Sequence, residues 1–411
     1  MGPPTDTAAP LELGPAGLDR LVCILAETHR VIGPTVADGA VVLREIASAA
    51  ELPDGWIDEQ EGGRYRLHAD ASAGPFDHVV GPFSLKNFLF PPRETVALLE
   101  RGAEGWHSRP PEGAPRALAV VGLRGCDLAA LAIQDRVFLG SGHVDPAYEA
   151  RRRDLILVAV DCRRAAPTCF CHSTGSGPAA CDAGAGRGAD LTLVDLGPGP
   201  AGSAAEDLGI EPTAARRFAC RAGTLRGAAI LGRLRAEGLA GSLAPADSEL
   251  AAAVPRATAA RLAARGPGER HLDTEGLRDL LFDRLEHPRW DDVAARCLAC
   301  TNCTLVCPTC FCASVTEIPA LDAERDERER RWESCFSLDH SRMHGRAVRH
   351  STAARYRQWL THKLAGWIDQ FGVSGCTGCG RCITWCPVGI DLTAEVAALR
   401  APPPASEGER A

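Results

Sequence analysis

Apolar positions recur at helical spacing from Leu18 to Val31, with Leu21, Ile24 and Leu25 on one face. Cys23 falls within this pattern and reads as a small buried hydrophobe. Two short strand-like stretches, VVLREI and RYRLHA, are separated by Gly and Pro turns. The aromatics of GPFSLKNFLFPPRE read as core packing. Ala117 to Gly122 is a continuous apolar run, apt for a buried strand, and Leu155 to Val160 is a second. Between them LRGCDLAALAIQDRVFL predicts a helix from Leu128, capped by Asp127. That order is β–α–β, which implies parallel strands and a right-handed crossover. ADLTLVD, from Ala189 to Asp195, predicts a return to the sheet. Residues 213 to 235 and 248 to 265 are helical in pattern, with Cys220 packed on the first. Leu277, Leu280, Leu281 and Leu285 form the stripe of a further helix. Tyr356, Leu360, Leu364, Trp367 and Phe371, three or four apart, predict a longer one. The charged run DAERDERERR reads as a solvated helix face.

Cysteine placement changes this picture. Cys126 lies just past the first predicted parallel strand and Cys162 just past the second. Sites in open α/β sheets form outside the carboxyl ends of the strands. The two thiols are therefore expected near each other, and Cys169 and Cys171 follow in the loop PTCFCHSTGSGP. Four cysteines on one crevice suit a 4Fe–4S cluster; free buried thiols or a zinc site are the alternatives. Cys181, in CDAGAGRGAD, is either incidental or a replacement ligand. GSGP and GAGRG lack the following helix that a phosphate loop requires.

Two longer runs dominate the C-terminal part. ARCLACTNCTLVCPTCFC supplies Cys297, Cys300, Cys303 and Cys307; SGCTGCGRCITWCPVGIDL supplies Cys376, Cys379, Cys382 and Cys386. Both have the spacing C-x2-C-x2-C-x3-C-P of proteins with two 4Fe–4S clusters, in which the fourth cysteine ligates the other cluster. One cluster is thus expected on Cys297, Cys300, Cys303 and Cys386, the other on Cys376, Cys379, Cys382 and Cys307. Zinc knuckles would use C-x2-C pairs but have no need of a third cysteine at the same step. The 68 residues between Cys307 and Cys376 are too many for a compact hairpin ferredoxin and suit a helical one. They hold Arg342, Arg346, Arg349, Arg355, Arg357 and Lys363, read as surface charge or as a field favouring reduced clusters. Cys310, Cys312 and Cys335 read as packing near a cluster or as most of another metal site.

The chain has 411 residues, 45% of them apolar, with 18 cysteines and a net charge of −8. That length accommodates two or three domains. The acidic balance argues against nucleic acid or an anionic membrane as the main partner. No apolar run approaches a membrane span and the N-terminus has no signal-peptide pattern. A cytoplasmic protein is expected, with cysteines serving metal rather than disulfides.

The segments GPFSLKNFLFPPRE, GLRGCDLAAL, DPAYEARRRDLILVAVDC, CFCHSTGSGP, CPTCFC, RWESC, ARYRQWLTHK and GCTGCGRCITWCPVGIDL occur in that order. Together they resemble the beta, iron–sulfur subunits of soluble NAD(P)-linked nickel–iron hydrogenases, the sulfhydrogenases. They are similar also to the A subunit of anaerobic sulfite reductase. The resemblance runs from about residue 18 to 395 and is weak from 182 to 275. It implies an electron carrier between a flavin subunit that oxidises NAD(P)H and a separate catalytic subunit, and it extends to the eight C-terminal cysteines and to Cys126, Cys162, Cys169 and Cys171. The fold expected is α+β overall: a disordered N-terminus (1–17), an α/β domain with a partly parallel sheet (18–285), a mainly helical ferredoxin-like domain (286–398) and a disordered tail (399–411). No catalytic triad, Walker loop or dinucleotide fingerprint is present. A catalytic subunit of the heterodisulfide-reductase kind is the alternative, but it calls for adjacent cysteines, and the chain has no Cys–Cys dipeptide.

Overall fold

A computed structural model describes residues 9–402 apart from 112, 114–115, 141, 182–187, 199–214, 266–269 and 322–323. Its centre is an eight-stranded sheet in the order Ala240–Ser242, Leu11–Leu13, Arg216–Ala222, Leu191–Pro198, Ile156–Val160, Leu118–Leu123, Arg30–Ala37 and Ala40–Glu45. The four strands that begin at 191, 156, 118 and 30 run parallel in succession; the flanking pairs are antiparallel. The β–α–β unit is as the sequence predicts: strand Leu118–Leu123, helix Gly125–Phe138, strand Ile156–Val160, the two strands parallel neighbours. Every residue of both strands is buried, which explains their unbroken apolar runs. Asp127 caps the helix by accepting from the Arg124 backbone N–H, although the helix starts three residues before Leu128. Separate apolar cores, one around Leu21, Val121 and Phe218 and the other around Leu131, Leu157 and Phe138, pack with the sheet.

Several expectations are corrected. Residues 9–17 are not disordered: Leu11–Leu13 pairs on both sides, and a helix begins at Pro15. Residues 399–400 complete the helix Leu392–Arg400. Residues 1–8 and 403–411, the rest of the two tails, lie outside the described residues. The helical pattern from 213 covers a strand, Arg216–Ala222, then a helix, Leu225–Ala236. The strand fills the sheet between Leu11–Leu13 and Leu191–Pro198, so pairing overrides local preference. Cys220 packs in that strand, fully buried.

The described part of the charged run, from residue 324, is likewise no helix, and residues 322–323 lie outside the described residues. Arg325–Trp332 is a strand, paired with Ala313–Pro319 on one side and Arg93–Gly102 on the other. Its charges meet partners across the ladder: Arg328 with Glu317 at 2.7 Å, Arg330 with Glu94 at 2.6 Å, and Arg93 with Glu329. Gly105–Arg109 completes this four-stranded sheet. Strands from both sides of residue 286 therefore share one sheet, and the C-terminal part is helical around its cysteines but not throughout.

The cysteine-bearing helical core is built on Trp290, Phe336, Tyr356, Trp359, Leu360 and Leu364. The helix expected from Tyr356 to Phe371 forms, but His362–Gly366 opens into a π-helical turn. Such turns are frequent at functional sites, and Lys363 sits within this one.

Candidate iron–sulfur sites

The two C-terminal cysteine loops have the same local design. In each, a residue in the left-handed conformation, Thr301 (φ 70°) or Gly380 (φ 78°), turns the chain into a four-residue helix. Backbone N–H groups point at sulfur: Ala299 to Cys297 at 3.4 Å, Gly378 to Cys376 at 3.5 Å, Ile390 to Cys386 at 3.3 Å. Donors aimed at sulfur favour its anionic form, as a metal-bound thiolate requires.

Cys297, Cys300, Cys303 and Cys386 line one cavity, walled by Phe336, Tyr356 and Trp359, with Cys382 also reaching it. Cys386, from the second run, thus stands with the first three cysteines of the first. Cys376, Cys382 and Cys307 are likewise neighbours: burial, then the charges of Cys376, Cys379 and Cys307, hold the Cys382 thiol well above its ordinary range. Burial pushes Cys376 up to about 12 and Cys303 well above 9. Without a cation to share, so many buried thiols cannot ionise together. The donor set therefore fits a cationic iron–sulfur core better than it fits free thiolates. Among the described residues, no three His, Cys, Asp or Glu side chains are placed to hold a single metal ion.

Lys363 is buried, and its Nζ donates to Cys307 Sγ at 3.2 Å, Thr309 Oγ1 at 3.1 Å and the Gly375 carbonyl at 3.1 Å. Burial disfavours its charge, but the charges of Cys307, Cys310 and Cys376 hold its pKa well above the usual lysine value. Of the six basic residues singled out from the sequence, Lys363 is the one hydrogen-bonded to one of the eight C-terminal cysteines. Arg342 and Arg346 are exposed, as surface charge should be. A second buried cation was missed by the sequence reading: Lys86 donates to the Thr304 and Leu305 carbonyls at 3.1 and 3.0 Å and lies 3.8 Å from the centre of the Trp332 ring. Its signal was a single lysine inside the apolar stretch FSLKNFLF.

The N-terminal cysteines gather at the carboxyl ends of the parallel strands. Cys126 opens the helix after the first strand, and Cys162 follows the second. Arg265 ties down the loop that follows Cys162 by donating to the carbonyls of Ala166 at 2.9 Å, Pro167 at 3.1 Å and Cys169. Burial, followed by the charges of Cys169, Cys162 and Cys379, holds the Cys171 thiol well above its ordinary range. Cys126 is raised in the same way, with Cys379 and Cys171 among its neighbours. Cys126, Cys169 and Cys171 pack in one buried cluster with Cys379, a fifth thiol that sequence order gave no reason to include. Cys181 stands apart, its sulfur 3.1 Å from Thr192 Oγ1.

The two halves interlock here. Phe170 N–H donates to the Gly378 carbonyl at 2.8 Å, and Thr384 Oγ1 lies 2.9 Å from Thr168 Oγ1. Arg381, almost wholly buried, pairs with Asp127 at 2.8 Å and donates to the Gly81 and Phe83 carbonyls.

Residues 296–390 match the 4Fe–4S dicluster domain family. Over 273 residues the chain is 28% identical to the sulfhydrogenase 2 subunit beta of Pyrococcus furiosus, a match that covers 66% of this chain and 70% of that subunit. No described helix is long and apolar enough to cross a membrane. The dicluster spacing, the cysteine-lined cavity and this likeness make the chain an iron–sulfur protein related to the hydrogenase beta subunits.

Proposed function

We propose that the chain is the electron-transfer subunit of a cytoplasmic complex, relaying electrons between a flavin subunit that oxidises NAD(P)H and a catalytic subunit of hydrogenase or sulfite reductase type. In this reading Cys297, Cys300, Cys303 and Cys386 hold one 4Fe–4S cluster, Cys376, Cys379, Cys382 and Cys307 a second, and Cys126, Cys162, Cys169 and Cys171 a third. Bound there, each cluster accepts and releases single electrons. The supporting observation is contiguity. Cys303 and Cys307 come from one short segment that joins the first group to the second, and Cys379 packs against the third.

The protein's own residues set the conditions. Phe336, Tyr356 and Trp359 wall the first site. Lys363 and Lys86 place positive charge beside the second. Cys300 is exposed, which gives the first site an edge at the surface for a partner. The test is anaerobic reduction of the iron-loaded chain, followed by visible and electron paramagnetic resonance spectra. NAD(P)H should reduce it only when a flavin-containing reductase subunit is added. Appreciable NAD(P)H oxidation by the flavin-free chain alone would sink this reading.

A further inference from the structure

One thiol pair lies outside all three groups. Cys312 Sγ and Cys335 Sγ are 3.7 Å apart, in van der Waals contact. A disulfide needs about 2.05 Å, so a small side-chain movement closes the gap. The backbone already holds the two segments together: Ala313 pairs with Trp332, and Glu333 N–H donates to the Cys312 carbonyl at 2.8 Å. Both thiols are half-buried, within reach of a small reagent.

The surroundings suit thiol chemistry. The His340 side chain stands beside Cys312, whose sulfur raises the imidazole pKa. Cys335 is favoured as a thiolate, first by its hydrogen bond with Cys312 and then by the charges of Lys363 and Arg349. Cys310, two residues from Cys312, instead lies beside Cys307 and takes no part in the pair. The three cysteines left over from the dicluster runs thus divide into a neighbour of Cys307 and a separate pair. A metal reading of the pair is weak, because Cys312, Cys335 and His340 do not converge on a single ion.

We infer that Cys312 and Cys335 form a redox-active dithiol that is oxidised reversibly to a disulfide by low-molecular-weight disulfides. In the first step the Cys335 thiolate attacks a sulfur of the small disulfide, forming a mixed disulfide and releasing one small thiolate, which takes up a proton. In the second, Cys312 gives its proton to His340 and attacks Cys335 Sγ; the Cys312–Cys335 bond forms and the second small thiol leaves with a proton. Two protein thiols are oxidised and one small disulfide is reduced to two thiols. The pair sits where oxidation would be felt. Neighbouring Ser334 Oγ accepts from the Thr304 hydroxyl at 2.8 Å, beside Cys303, and Phe336 walls the first cavity.

The experiment treats the iron-loaded full chain with glutathione disulfide under anaerobic conditions. Free thiols are then trapped by alkylation in acid denaturant with a chelator, and peptides are mapped by mass spectrometry. The expected result is a Cys312–Cys335 linked peptide, reversed by dithiothreitol, with iron content unchanged. In Cys335→Ser the link disappears while iron is retained. If both cysteines stay fully alkylatable in the wild-type chain, or if Cys335→Ser loses iron, the inference is overturned; the second result would make them cluster ligands. The claim does not depend on the electron-relay reading, since no NAD(P)H or partner subunit enters the test.

Discussion

At the residue scale, the placement of single sulfur atoms and charges decides the chemistry. Cys386 shares a cavity with Cys297, Cys300 and Cys303, the group with which the proposed ligand exchange places it. Cys386→Ser should therefore perturb the cluster assigned to the first loop more than the one assigned to the second. Cluster-resolved electron paramagnetic resonance reads this, and the reverse pattern would break the ligand exchange. Lys363 supports a second prediction. A cation at 3.2 Å from Cys307 Sγ favours added negative charge, so Lys363→Met should lower the reduction potential of the Cys307 site and leave the other site closer to its original value. The same change removes the Lys363 donor from the buried Thr309 hydroxyl, at a cost of about 1–3 kcal/mol in stability, while the Gly375 carbonyl keeps its bond from Thr309. A potentiometric titration showing equal shifts at both sites would contradict the assignment of Lys363 to one of them.

At the element scale, the interlock of loops from opposite ends of the chain is the main construction. Gly378 has φ +59°, and a Cβ there would lie 2.6 Å from the Cys171 backbone. Gly378→Ala should therefore disturb two cysteine loops at once, moving spectroscopic signals from the second and third sites together. Signals from the third site that stay put would mean the loops are not coupled in solution. This junction also marks what the sequence could and could not tell. The β–α–β unit was legible because strands buried on both faces read as continuous apolar runs. The cysteine loops were legible because covalent spacing limits what a short loop can wrap. Arg325–Trp332 was not, since charges balanced across a ladder carry no apolar period to read. Nor was the nearness of Cys379 to Cys126, because packing between Thr168–Cys171 and Thr377–Gly380 leaves only glycines as its trace.

At the scale of the whole molecule, the sheet shared by Arg93–Arg109 and Ala313–Trp332 and the buried Arg381–Asp127 pair join the α/β and cysteine-rich parts into one body. Removing one partner of a buried ion pair costs about 3–5 kcal/mol, so Arg381→Ala should lower the unfolding midpoint of both parts together rather than of one. The number of clusters in that body is the sharper question, and iron content answers it. Two 4Fe–4S clusters give about eight iron atoms per chain and three give about twelve. The third requires Cys126, Cys162, Cys169 and Cys171 to act as a unit, and Cys171 feels Cys169 and Cys162 on its own side and Cys379 from the other half. Cys162 is the informative position to change, because it belongs to the N-terminal group and is absent from the cluster of thiols that packs around Cys379. Cys162→Ser should remove about four iron atoms and leave the signals of the two C-terminal sites in place. An unchanged iron count near eight in both the wild-type chain and the variant would reduce the N-terminal thiols to buried packing. A loss of iron from the Cys376 site as well would mean that Cys379 is shared between two neighbouring assemblies.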